Sequence, residues 1–188
     1  VDPERVRKMT DAIAHRGPDG SGVWTAPGVG LGHRRLSIID LAGGAQPMLS
    51  QDATLAITFN GEIYNFRELR KELEVLGYAF QTASDTEVIL HAWHRWGPDC
   101  VKQFHGMFAF ALYDSNKRQL FIGRDRLGVK PLYYAPLPDG SVIFGSELKA
   151  LLAHPALRRE ADLAAIEDYM AFGYVPGHAC LVRGVKKL

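Results

Sequence analysis

Cysteine is scarce in this chain, with Cys100 and Cys180 the only two among 188 residues. Two thiols supply neither a disulfide framework nor a cysteine-based metal cluster, so a reducing, cytoplasmic setting is the default expectation. No apolar run approaches the roughly 20 residues that a membrane-crossing helix needs, and the opening residues are not expected to act as a signal peptide. Charge of one sign is lacking too. The 22 Lys and Arg residues are met by 21 Asp and Glu, a net charge of +1. That balance gives no electrostatic case for nucleic acid or an acidic membrane as partner. Internal repeats are also missing.

What remains, 47% hydrophobic and 23% charged residues, suits one domain of ordinary size with a real core. The chain begins at Val1 rather than methionine, and the expectation is a piece of a longer protein. Asp2 ahead of Pro3 marks a helix start, and Val6, Met9 and Ile13 follow at helical spacing up to Gly17-Pro18. Candidate strands lie near 21–26, 29–37 and 54–60. Asn65 with Glu68, and Ser84 with Glu87, form capping-box patterns ahead of two amphipathic helices. From Met107 to Ser146 the pattern returns to strands, with Phe108, Phe110 and Leu112 alternating with Ala109 and Ala111. The small residues on one face predict a second layer packed closely there. Further strands are predicted at Leu120–Gly123, Leu132–Ala135 and Val142–Gly145. A short helix over Glu147–Ala153 and a last one capped by Asp162 and ended by Gly173 complete the pattern. Strands in blocks separated by helices favour an α+β fold with antiparallel sheet.

Four segments concentrate polar residues where the apolar pattern predicts none: HRGPDG at 15–20, GHRRLSIID at 32–40, NGEIYN at 60–65 and SDTE at 84–87. Each has an ordinary reading. Asn60-Gly61 suits a turn, Asp85 complements a helix dipole, and Arg34 and Arg35 suit a solvated strand edge. Their joint occurrence is harder to ascribe to turns and edges.

Together these segments resemble the N-terminal class II glutamine amidotransferase domain of the glutamine-hydrolysing asparagine synthetase family, of the N-terminal-nucleophile type. The likeness continues through RDRLGVKPLYY at 124–134 and GSELKAL at 145–151. It implies a four-layer αββα sandwich over 1–155, with 156–188 a linker and the start of a truncated synthetase domain. It also implies L-glutamine as substrate, hydrolysed to supply ammonia for ATP-dependent amidation of aspartate.

The chemistry of glutamine capture agrees with what the resemblance implies. Arg35 suits the α-carboxylate, because guanidinium offers a planar two-pronged donor set that lysine lacks. Asp85 suits the α-ammonium as a fixed anion at a helix start, with Glu62 assisting by resemblance. The stretch Arg35, Leu36, Ser37, Ile38 and Ile39 would line the pocket. In the family the Asn60 side chain and the Gly61 backbone N–H form the oxyanion hole, each such donor being worth about 3–4 kcal/mol. Arg16 would shape the pocket beside the nucleophile.

In the family that nucleophile is an N-terminal cysteine whose own α-amine, of pKa near 8, serves as base. Val1 stands at the start here, so the expectation places the cysteine and a short strand upstream of Val1, with these 188 residues inactive alone. Cys100 reads as a buried structural thiol and Cys180 lies in the tail, neither beside a base. No metal or cofactor is expected within 1–188; ATP and Mg belong to the synthetase domain that would follow. The resemblance admits a homodimer.

Three other readings stay open. One is a glutamine-binding regulatory module without turnover, another an amidotransferase acting on a different carboxylate acceptor. A domain that merely supports the synthetase half is a third. Several signals carry no weight: His91 and His94 lack a third ligand, and Gly28, Gly30 and Gly32 lack the spacing of a dinucleotide loop. Arg124, Asp125 and Arg126 read as a structural network.

Overall fold

The computed structural model describes residues 1–36 and 43–188. Its centre is an antiparallel sheet in the order β3-β4-β5-β6, formed by Met48–Leu49, Leu55–Ile63, Gly106–Asp114 and Gln119–Arg124. Along β4 the odd positions Leu55, Ile57, Phe59 and Ile63 face helices α2 (Phe66–Val75) and α3 (Asp85–Trp96). Phe108, Phe110 and Leu112 of β5 join them, and Phe104 and Phe121 complete an aromatic cluster with ring centroids 5.8–6.4 Å apart. This is the larger core, and burying each such ring contributes about 1.5–3 kcal/mol.

The opposite face of the sheet carries Ala56 and Ala111, both almost fully buried. Against them lie Val29 and Leu31 of the hairpin β1–β2 (Gly20–Ala26 and Val29–Arg35). Phe144 of β8 (Val142–Gly145) packs beside them. The small residues thus do mark a closely packed second layer. That layer consists of the hairpin and a three-stranded sheet β8-β7-β9, with β7 at Tyr133–Pro136 and β9 at Lys186–Lys187. Outside it sit α1 (Pro3–Asp11) and α4 (Leu148–Leu152); Met9, Leu148 and Leu151 from these helices, with Ile13 just beyond α1, pack with Ala135, Ile143 and Cys180. The chain is therefore the αββα sandwich that the resemblance implies.

Side-chain alternation along β2 decides what each residue meets. Val29, Leu31 and His33 face the central sheet, whereas Gly30, Gly32 and Arg34 face α1. A Cβ on Gly32 would lie 2.0 Å from the Thr10 hydroxyl, so this glycine serves helix packing.

Details differ from expectation for local reasons. The first helix ends at Asp11, and a 3₁₀ turn over Ala14–Arg16 carries the chain to Gly17. Strand β4 runs through the Asn-Gly pair to Ile63, so Asn60-Gly61 is no turn. Asn65 does not cap α2 with its side chain; it donates to Gln103 O and accepts from His105 N, both at 2.9 Å. Ser84 does cap α3, while Glu87 turns away and gathers Gln81 N, Thr82 N and the Thr82 hydroxyl at 2.6–2.8 Å. Helix α5 (Leu163–Phe172) is capped by Asp162 and ends at Gly173, as its pattern predicts. Leu157, Cys180 and Val185 pack in the same cluster as β7 and β8.

Candidate functional site

The four polar segments are linked in series: 15–20 to the end of β2, β2 to β4, and β4 to the start of α3. Their anchor is His33, whose Nδ1 lies 3.0 Å from the Thr58 hydroxyl. The Thr58 hydroxyl also lies 3.3 Å from Gly32 O, to which it can donate while accepting from His33 Nδ1. Burial, reinforced by the charge of Arg35, lowers the His33 pKa to about 4. Two residues further along each strand, on these same facing sides, come Arg35 and Asn60. Arg35 thereby points between the sheets, and Arg34 turns outward to an ion pair with Asp11.

HRGPDG closes over the end of β2. Asp19 N donates to Arg35 O at 3.0 Å, and Pro18 bridges Arg35. Gly17 lies so near that a Cβ there would stand 2.3–2.5 Å from the backbone of Arg34 and Arg35. Arg16 pairs at 3.2 Å with Glu147, which stands just before α4 in the GSELKAL segment, and His15 reaches the same carboxylate at 3.3 Å.

The edge of β4 explains the backbone chemistry. Tyr64 N donates toward His105, on the β5 side, so the odd-numbered N–H groups point to the opposite edge. Along that edge Ile57 pairs with Met48, Phe59 N donates to Gln46 Oε1 at 2.6 Å, and Ile63 N donates to Asp85 Oδ2 at 3.1 Å. Gly61 N–H sits between the last two and points to the same edge. A ligand atom placed there would meet the Gly61 donor with Asn60 beside it.

Asp85 itself is 4% exposed. Burial pushes its carboxyl above the ordinary carboxylate range, against the pull of backbone N–H groups of Ile63 and Thr86, and the nearby Glu62 adds to the rise. A buried anion destabilised in this way, beside a second carboxylate, is an arrangement that a cation relieves. Leu36 is exposed at the end of β2. Ser37, Ile38 and Ile39 lie outside the described residues. The structure therefore places Asn60, Gly61 and Glu62 on one strand end with Asp85 bonded to it through Ile63 N, and Arg35 at the end of the strand β2 that faces it. Arg16 approaches the end of β2 from the outer layer.

Neither cysteine is at this site. Cys100 is wholly buried in the helix-side core, and burial raises its pKa to about 12. Cys180 packs with Leu157 and Val185. His91 lies against Tyr78, Phe80 and Glu87, while His94 Nδ1 is 2.9 Å from the Tyr78 hydroxyl. Among the described residues no three His, Cys, Asp or Glu side chains converge as a metal site. Likewise, no described helix is long and apolar enough to cross a membrane. Asp125 accepts from Phe108, Val129 and Lys130 N–H groups at 2.8–3.2 Å; burial opposes its ionisation, but these bonds and Arg124 hold its pKa low. Arg124 donates to Lys130 O, Gly128 O and Leu188 O. The 124–130 segment is thus a self-bonded loop, as its residues predict.

Sequence reasoning missed Gln46 and Thr86. Gln46 stands in a Gly- and Pro-rich turn with no helical or strand pattern around it, and Thr86 reads as part of a helix cap.

Comparison with known proteins gives a consistent result. A family model described as a glutamine amidotransferase domain matches residues 1–188. Asparagine synthetase [glutamine-hydrolyzing] 3 of Bacillus subtilis is 43% identical over 185 residues, which are 96% of this chain and 30% of that protein. Asparagine synthetase B [glutamine-hydrolyzing] of Escherichia coli is 45% identical over 149 residues, covering 79% of this chain and 27% of that protein. The chain thus spans about 30% of the length of such relatives. Among solved structures, glutamine phosphoribosylpyrophosphate amidotransferase from B. subtilis matches with a TM-score of 0.68 and 25% identity, covering 85% of this chain and 43% of that one.

Proposed function

Since the chain belongs to the glutamine amidotransferase domain family, matched over its whole length, we propose that its inter-sheet cleft binds L-glutamine and hydrolyses its side-chain amide to release ammonia. The observation that carries this reading is the buried Asp85, held against Ile63 N at the end of the strand that bears Asn60, Gly61 and Glu62. Asp85 and Glu62 receive the α-ammonium, Arg35 the α-carboxylate, and Leu36 to Ile39 flank the ligand. Asn60 and the Gly61 N–H receive the amide oxygen as it becomes an oxyanion. Arg16, fixed by Glu147, borders the reacting end.

A thiol gives its proton to the base and its sulfur attacks the amide carbon, placing negative charge on the oxygen; as the carbonyl re-forms, the C–N bond breaks and the nitrogen takes that proton back to leave as ammonia. Water then cleaves the thioester to glutamate. Donors at the oxyanion act only as charge develops, which is why they accelerate the step. The raised pKa of Cys100 and the packing of Cys180 do not suit either to this role. We assign the nucleophile to a cysteine preceding Val1, with its α-amine as base. In the relatives named above the whole protein is a glutamine-hydrolysing asparagine synthetase. The proposal extends that activity here, with ammonia amidating an ATP-activated aspartate. ATP and magnesium then belong to a synthetase domain outside these residues.

The test is glutamine hydrolysis by the natural chain, followed as glutamate and ammonia release, with calorimetry of L-glutamine binding. Turnover that disappears with Asn60→Ala supports the reading. A natural chain that binds no glutamine overturns it. Binding without ammonia release favours instead a regulatory glutamine-binding module.

A further inference from the structure

We infer that Gln46 is a positioning residue that holds both ends of the glutamine pocket in register through one side chain. The inference rests on the glutamine-binding reading above. By the β3–β4 register, in which Met48 faces Ile57 and Leu49 faces Ala56, Gln46 falls opposite Phe59. Strand β3 itself begins at Met48, so its backbone ladder does not reach that far. The Gln46 side chain takes over: Oε1 accepts from Phe59 N at 2.6 Å, and Nε2 donates to the Thr86 hydroxyl at 3.4 Å. Phe59 precedes Asn60, and Thr86 follows Asp85. One amide group therefore fixes the neighbour of the oxyanion donor and the neighbour of the ammonium partner.

The Gln46 backbone is itself fixed from the other layer. Gly22, which faces His33 across the hairpin, stands so close to it that a Cβ would lie 2.1 Å from Gln46 O and 3.0 Å from Pro47. Hairpin, central sheet and helix α3 thus converge on this residue. Its position is not explained by core filling, since Gln46 is only partly buried and both polar atoms of its amide are engaged with elements that carry the site. A displacement of reacting groups by about 1 Å can cost about 100-fold in rate, so a brace of this kind bears directly on the chemistry.

The two bonds serve different ends of the ligand, and that separates positioning from general stability. The probes are L-glutamine and glutaramic acid, the same molecule without the α-ammonium, with affinities measured by calorimetry on the natural full-length chain. Thr86→Val removes the acceptor near Asp85 alone. It is expected to weaken L-glutamine about tenfold and leave glutaramic acid within about twofold. Gln46→Met removes both bonds and is expected to weaken both ligands. The double variant is expected to bind L-glutamine no more weakly than Gln46→Met, because the Thr86 bond is already lost. Thr86→Val that weakens both ligands alike, or neither, overturns the inference, as does a double variant with additive losses. A wild-type chain that fails to bind L-glutamine sinks the function proposal itself. Normal wild-type binding with unchanged variants sinks only the role of Gln46.

Discussion

The Asp85 carboxylate accepts a hydrogen bond from the backbone N–H of Ile63 at 3.1 Å, so the first turn of α3 is bonded directly to the strand that bears Asn60 and Gly61. Its pKa is raised by burial and by Glu62. A bound ammonium favours the ionised form and draws the pKa back down. In the pH range between the free and bound values, binding therefore releases a proton, and affinity rises with pH. Calorimetry of L-glutamine in buffers of different ionisation enthalpy is expected to show that release. Asp85→Asn is expected to abolish the proton signal and to weaken binding about 10- to 100-fold, the cost of one charged hydrogen-bond partner.

Arg35→Lys keeps the charge and loses the fork. A two-pronged carboxylate contact becomes a single point contact, for which a loss of about tenfold in glutamine affinity is expected, raising KM more than it lowers kcat. A variant with unchanged KM would remove Arg35 from the carboxylate end.

Gly17→Ala tests how HRGPDG reaches the site. The added methyl would meet the Arg34–Arg35 backbone at 2.3–2.5 Å, and backbone cannot rotate away. The expected result is a chain destabilised by about 1–3 kcal/mol in urea unfolding, with glutamine affinity reduced as Arg35 is displaced.

The thiol of Cys100 has its pKa pushed up to about 12 by burial. Alkylation by iodoacetamide at pH 8 is expected to spare Cys100 in the folded protein and to label it in denaturant, with mass spectrometry locating the adduct. Rapid labelling of native Cys100 would contradict its place in the core.

His33 gives a stability signature with a defined sign. Its pKa is about 4 in the folded chain and near 6.5 when unfolded, so the unfolded chain binds more protons between those values. Stability is therefore lost as pH falls from about 6.5 to 4. Tm measured over that range is expected to fall less steeply in His33→Gln than in the natural sequence, and parallel curves would show that His33 does not carry this linkage.

Much of this was legible before any coordinates. Asp2, Pro3, Val6 and Met9 announce α1, Asp162 and Gly173 bracket α5, and Ala109 and Ala111 foretell the second layer. Arg35 was singled out by the resemblance; residue type alone does not distinguish it from Arg34, and it is strand alternation that sends the two to opposite faces. Asn65 and Glu87 carry capping-box chemistry in sequence yet bond to the 103–105 and 81–82 segments instead, since a side chain that can cap a helix can equally pin a loop. Gln46 was invisible for a related reason. Its place comes from the β3 ladder starting at Met48, two residues after the position opposite Phe59, which no local pattern encodes.

Ala56 and Ala111 act as spacers whose thickness is a single methyl group. Because Val29 and Leu31 rest on them, the height of β2 above β4 is set there, and the separation of Arg35 from Asn60 follows from it several residues downstream. The spacing of β2 and β4 where Arg35 and Asn60 stand is thus inherited from two of the smallest side chains in the protein. Added bulk at either alanine acts as a wedge, felt most at the far end of the strands.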